Sequence, residues 1–120
     1  MRRHVLTVDL RDDPAAVATY RDYHQQVWPE VLESLRRAGV RSMDIRIHGR
    51  RLVMILELVD GLDVQHVFAT YLTSHPRVQE WERLMKSMQE PVPGRAAGEW
   101  WARMERVFVL DGSTDSDALH

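Results

Sequence analysis

The chain predicts an α+β fold, on three observations. Strand-like apolar runs and segments of helical apolar spacing succeed one another in the order strand, helix, strand, strand, helix, strand. Leu52 to Leu56 and Val107 to Leu110 are apolar on both faces of their strands, as in a sheet covered on both sides. The length of 120 residues suits one core and not two, so a single domain over 1–111 holds all the elements.

His4 to Leu10 reads as the first strand, and the aspartates of the turn Arg11-Asp12-Asp13-Pro14 stand where they can cap a helix beginning around Pro14. Advancing about 100° per residue along that helix, Val17, Tyr20, Val27, Trp28, Val31 and Leu35 fall within roughly 60° of His24. Asp22, Gln26, Glu33 and Arg37 lie opposite, so His24 points inward or into a cleft. Pro29 has no N–H to donate, which frees the carbonyl of Gln25 and either kinks the helix or ends it and starts another. Gly39 is placed as the C-terminal cap, with Arg36 and Arg37 suiting the helix dipole in the last turn.

Val40 to Ile47 and Leu52 to Leu58 follow as strands joined by a hairpin turn at His48-Gly49-Arg50-Arg51. Leu62 to Leu72 has helical spacing through Val64, Val67, Phe68, Tyr71 and Leu72. Ser74-His75-Pro76 restarts the chain as a second helical segment whose inward stripe is Val78, Trp81, Met85 and Met88. Glu82 lies on the border of that stripe, about 40° from Val78, and is placed to face a cleft. Gln89 to Gly98 is rich in proline and glycine and reads as a loop, Arg106 to Leu110 as the last strand, and 112–120 as a polar, disordered tail. This order is the split βαβ, or ferredoxin-like, plan: an antiparallel sheet with helices on one face. A second copy packed sheet against sheet would cover the other face, which predicts a symmetric homodimer.

Composition removes several classes of function. With no cysteine there is no disulfide, thiolate metal site or cysteine nucleophile, in keeping with a reducing, cytoplasmic location. The net charge is −2, and Arg2-Arg3, Arg36-Arg37 and Arg50-Arg51 are isolated pairs and not a phosphate-tracking stripe, so nucleic acid is not an expected partner. Charged residues break every N-terminal apolar run, which argues against a signal peptide or membrane span. His4, His48, His66, His75 and His120 are scattered without metal-ligand spacing, and neither a glycine-rich phosphate loop nor a Gly-x-Ser-x-Gly elbow occurs. No metal or cofactor is expected.

What remains is acid and base chemistry around His24. Two uses of this imidazole stand level on the sequence: a core-edge ring bonded to a backbone carbonyl, or a working group in a pocket. Trp81, Trp100 and Trp101 suit either a core or a pocket whose aromatic faces cover the C–H patches of a sugar.

Tyr20-x-x-x-His24, Trp28-Pro29-Glu30, Trp81 and the closing stretch from Gly98-Glu99-Trp100-Trp101 to Asp111 together resemble the L-rhamnose mutarotase family over residues 4–111. Gln89-Glu90-Pro91 and Gly98-Glu99-Trp100-Trp101 look most like members assigned to L-fucose. The resemblance implies a dimeric α+β barrel and a cofactor-free interconversion of the anomers of a 6-deoxy-L-hexopyranose. It also implies that His24 holds the position of the catalytic proton donor and that Tyr20 and Trp81 bind sugar. Two positions depart from the pattern: Met43 stands where the rhamnose enzymes carry a sugar-binding tyrosine, and Glu82 where they carry a second tryptophan. The exchange removes a hydroxyl and a stacking plane and adds a carboxylate at the pocket edge, so a different set of substrate hydroxyls is satisfied. On this reading Glu82 is a base or hydroxyl acceptor. Two rival readings are a divergent cofactor-free enzyme acting on a less polar biosynthetic intermediate and a ligand-binding dimer without turnover.

Overall fold

The central strand β1 (Arg3–Leu10) buries Leu6, Val8 and Leu10 beneath the helices, and its period of two sends Thr7 and Asp9 to the opposite face. In the computed structural model, which describes residues 3–110, β1 pairs antiparallel with β3 (Arg51–Leu58) from Arg3↔Glu57 to Asp9↔Arg51. β2 (Val40–His48) flanks β3 on its outer side, joined to it by a turn in which Gly49 takes φ 60°. The other edge of β1 is shared by two short strands, β4 (Gln89–Glu90) and β5 (Ala102–Arg103). The order β2-β3-β1-β4, all antiparallel, agrees with the ferredoxin-like expectation. The expected tail at 112–120 lies outside the described residues.

The helices are α1 (Pro14–Tyr23), α2 (Pro29–Ala38), α3 (Val64–Leu72) and α4 (Pro76–Met88). Their starts obey local chemistry. Asp13 caps α1 by accepting from the Ala15 N–H at 3.0 Å, Asp63 caps α3 through the His66 N–H at 2.8 Å, and His75 Nδ1 caps α4 through the Arg77 N–H at 2.9 Å. Pro14, Pro29 and Pro76 occupy first-turn positions, where a missing N–H costs nothing. Of the two outcomes open at Pro29, the chain takes the second: α1 stops at Tyr23 and α2 begins afresh. Val31, Val67 and Val78 from three of the helices pack into the cluster formed by Leu6, Val8, Leu52, Leu56 and Leu58. Among the described residues no helix is long and apolar enough to cross a membrane.

On the face away from the helices, Arg51 donates to both oxygens of Asp9 at 2.8 and 3.0 Å, and Thr7 Oγ1 donates to the Leu52 carbonyl at 2.7 Å. The Arg51 hydrogen bonds hold the Asp9 carboxyl below the usual aspartate range, against the opposing effect of burial. Val53 and Ile55 are half-buried on this face, so β3 is apolar on both sides as expected.

Two expectations fail. Arg106–Leu110 does not form the last strand; β5 is Ala102–Arg103, and the chain leaves the sheet after Met104 donates to the Val5 carbonyl at 2.8 Å. Register explains it. With Leu6 opposite Arg103 and the strands antiparallel, the edge of β1 is used up at Arg3 before 107–110 can pair, so Val107, Phe108 and Leu110 are 97%, 75% and 85% exposed. Conversely, the segment read as a loop from Gln89 begins as β4, with Gln89 buried against Leu10.

Gly39 ends α2 at φ 113°, and a Cβ there would meet Leu62 Cδ1 at clash distance. Gly39→Ala is expected to destabilise the fold by about 1–3 kcal/mol through backbone strain and displacement of Leu62. Urea unfolding checks this, and an unchanged midpoint would count against it.

Candidate active site

The site begins where α1 ends. The last carbonyls of a helix lack partners within it, and the carbonyl of Tyr20 is satisfied twice by the same residue: His24 N–H reaches it at 3.3 Å and His24 Nδ1 at 2.8 Å. A carbonyl oxygen only accepts, so Nδ1 carries the proton and Nε2 of the neutral ring keeps its lone pair. The Tyr20 ring stacks on the imidazole with centroids 4.3 Å apart and an interplanar angle of 28°. Burial pushes the His24 pKa below 6.5, opposed in part by the Tyr20 carbonyl. At neutral pH the ring is therefore uncharged. Of the two settings left open for His24, the bond to a backbone carbonyl is made through Nδ1, and the residue also lines a cavity.

Trp81, on α4, meets His24 edge to face at 5.4 Å, and Tyr23 and Trp28 approach the same indole at 6.0 and 5.1 Å. The Arg77 guanidinium covers Trp28 at 3.7 Å. These contacts lock α4 against the break between α1 and α2. Tyr20 is 4% exposed, and its hydroxyl accepts from Gln89 Nε2 at 3.4 Å while Gln89 Oε1 accepts from Trp100 Nε1 at 2.8 Å. Burial pushes the Tyr20 pKa up to about 12, so its hydroxyl stays neutral.

Glu82 is half-buried and accepts at Oε2 from the Tyr71 hydroxyl, 3.1 Å away on α3. Burial raises its pKa; the Tyr71 hydrogen bond and the charge of Lys86 pull the other way. Tyr71, 3% exposed, is itself pushed well above the usual phenol range by burial and by the Glu82 charge.

His24, Tyr20, Trp81, Glu82 and Met43 all line one cavity of about 940 Å³ between the sheet and the helices. The structure thus brings together the five side chains expected at the site. It adds Tyr71, Gln89, Lys86 and Arg103 to the walls. Tyr71 read only as one apolar position on a helical stripe, and Gln89 as loop; nothing in a single sequence pairs Tyr71 with a carboxylate on the next helix. Met85 lines the cavity with Met43, whereas Met88 is buried elsewhere in the core. Among the described residues no group of three or more His, Asp or Glu side chains is placed to hold a metal ion.

Fold and site together define a small α+β protein whose cavity sets a neutral imidazole and a half-buried carboxyl among aromatic walls. The profile of the L-rhamnose mutarotase family matches residues 3–110, and the chain belongs to that family. An L-fucose mutarotase of Xanthomonas campestris pv. campestris is 39% identical over 112 residues, which cover 92% of this chain and 89% of the relative. Among solved structures, an L-rhamnose mutarotase of Formosa agariphila superposes with a TM-score of 0.63 at 19% identity, covering 92% of this chain and all of that one (100%). Tetracenomycin F2 cyclase of Streptomyces glaucescens, a type-II polyketide cyclase, gives 0.58 at 15% identity, covering 94% and 100% of the two chains. At such identities these two structures share the fold alone.

The ring geometry makes a direct prediction. In a nitrogen-15 NMR titration, His24 is expected to be protonated at Nδ1 in its neutral form and to titrate below 6.5. A neutral form carrying its proton on Nε2 would contradict the assigned hydrogen bond.

Proposed function

We propose that this protein is a sugar mutarotase interconverting the α and β anomers of a 6-deoxy-L-hexopyranose, L-fucose or L-rhamnose, without a cofactor. The observation that carries the reading is the placing of His24: one ring nitrogen is tied to the Tyr20 carbonyl, and the residue lines a cavity with a carboxyl and several aromatic rings. Ring opening of a pyranose needs one proton delivered to the ring oxygen and one removed from the anomeric hydroxyl; reclosure on the other face of the aldehyde reverses both. Groups of moderate strength suffice, and such acid and base assistance is typically worth about 10²–10⁴-fold. His24 transfers a proton, Trp81 supplies a wall for the C–H face of the sugar, and the Tyr20 hydroxyl, which accepts from Gln89, has its own proton to give to a sugar oxygen. Glu82 binds or transfers at a second sugar oxygen, and Met43 offers an apolar surface to the remainder.

Saturation transfer between anomeric protons tests this across a panel including L-fucose and L-rhamnose. Exchange faster than in protein-free buffer is expected for at least one of them, and His24→Ala is expected to lower the enzymatic rate by about 10²-fold or more with the circular dichroism unchanged. No acceleration with any sugar would overturn the proposal. One observation favours a second reading, a divergent enzyme acting on a less polar compound: Leu6, Val31, Leu35, Ile45, Met54 and Met85 give the cavity a large apolar lining.

The working unit on this reading is a cytoplasmic homodimer. Support comes from Met104, Val107, Phe108 and Leu110, an exposed apolar segment that a second copy would cover, and from the half-buried Val53 and Ile55 on the outer face of the sheet. Sedimentation equilibrium is expected to give twice the 14.0 kDa chain mass. Phe108→Asp is expected to shift the protein toward the monomer, and a wild-type monomer would refute the assembly.

A further inference from the structure

Resting on the mutarotase reading, we propose that Gln89 is a positioning residue: its amide, oriented by the Trp100 indole, fixes the Tyr20 hydroxyl as a hydrogen-bond donor to a sugar oxygen. An indole N–H can only donate, so the atom of Gln89 that meets Trp100 Nε1 at 2.8 Å is the carbonyl oxygen Oε1. The other end of the amide, its NH2 group, then faces the Tyr20 hydroxyl at 3.4 Å. That nitrogen has no lone pair to offer, so the phenolic oxygen accepts. The hydroxyl keeps its own proton for another partner, and among the described residues it makes no second hydrogen bond.

Three elements far apart in the chain hold this series in place. Tyr20, in the last turn of α1, is stacked on the His24 ring with centroids 4.3 Å apart. Gln89 is 7% exposed and stands on β4 opposite Leu10 of β1, so the sheet sets its backbone. Trp100 comes from the closing segment, where the Glu99 carboxyl accepts from the Ala96 N–H at 2.9 Å and the Glu99 carbonyl accepts from Arg95 at 2.7 Å. The Lys86 ammonium lies 5.2 Å from the centroid of the Trp100 ring. Tyr20, Gln89 and Trp100 line the same cavity as His24 and Trp81.

Trp100 is what makes the amide directional. A carboxamide bonded on one side only is free to turn over and exchange its oxygen and nitrogen. Turned over, Gln89 would take the Tyr20 proton instead of leaving it for a ligand. The indole removes that choice, because the turned amide would set NH2 against N–H, two buried donors with no acceptor between them.

A sugar suits a donor fixed in this way, since its ring oxygen and every hydroxyl oxygen carry lone pairs. The Tyr20 proton is aimed before the sugar arrives, so binding costs no reorientation of the hydroxyl. Tyr20 meets the substrate; Gln89 and Trp100 act through it.

The test is anomeric exchange, by saturation transfer on the sugar the wild type turns over. Gln89→Met keeps the length of the side chain and removes both hydrogen bonds, and is expected to lower kcat/KM about tenfold, the worth of one directed hydrogen bond. In a Tyr20→Phe background the same change is expected to cost less than about twofold, because no hydroxyl remains to be directed. Gln89→Glu gives a second readout. While the introduced carboxyl is protonated it accepts from Trp100 and donates to Tyr20 as the amide does; once ionised it draws the Tyr20 proton to itself. The ratio of variant to wild-type turnover is therefore expected to fall as pH rises through that ionisation. An equal loss from Gln89→Met in both backgrounds, or a Gln89→Glu ratio independent of pH, would overturn the assignment while leaving the mutarotase reading intact. The two readouts are independent, so where circular dichroism shows one variant unfolded the other decides. A wild type inert toward every sugar would remove both.

Discussion

The structure hinges on the end of α1. Pro29 opposes an unbroken helix from Pro14, and α1 stops six residues before it, at Tyr23, with His24 folded back so that backbone and ring both satisfy the Tyr20 carbonyl. That single carbonyl fixes the tautomer of the imidazole. Trp28 stands at the break, as the residue before α2, where the Trp81 indole packs against it and helps to seat α4. Were the helix continuous, the ring would lose this anchor and the aromatic cluster its corner.

Burial then sets the charges. Burial disfavours the ionised form, so the same desolvation lowers the pKa of His24 and raises that of Glu82. The hydroxyls of Tyr20 and Tyr71 remain protonated for the same reason; that of Tyr71 donates to Glu82, and that of Tyr20 accepts from Gln89. The hydrogen-bonded series Trp100, Gln89, Tyr20 ties the closing segment to α1, so one wall of the cavity is held by groups far apart in the chain.

Much of the fold was legible because its signals are local. Asp13, Gly39, Gly49 and Pro76 act within a turn of themselves, and alternation through Leu52, Met54 and Leu56 follows directly from the pleat. Arg106–Leu110 misled because an apolar run states only that a segment is to be covered. Whether its own sheet has room depends on the register of Ala102 and Arg103 on β1, which no local pattern reveals. The five residues chosen for the site do share one cavity, since each lay on or beside an inward stripe or on the covered face of a strand.

The sequence by itself determined the order of elements from the first strand to α4, an interruption of the helix at Pro29, the turning of His24 away from the polar face and the place of Glu82 on the border of an apolar stripe, because periodicity and backbone chemistry act over a few residues. Only the tertiary structure decided which nitrogen of His24 is free, that Tyr71 across the next helix binds Glu82, and that Gln89 joins Tyr20 to Trp100. Those are contacts between groups brought together by packing, and burial, which biases both titrating groups toward neutrality, is a property of the assembled core and not of any residue in it.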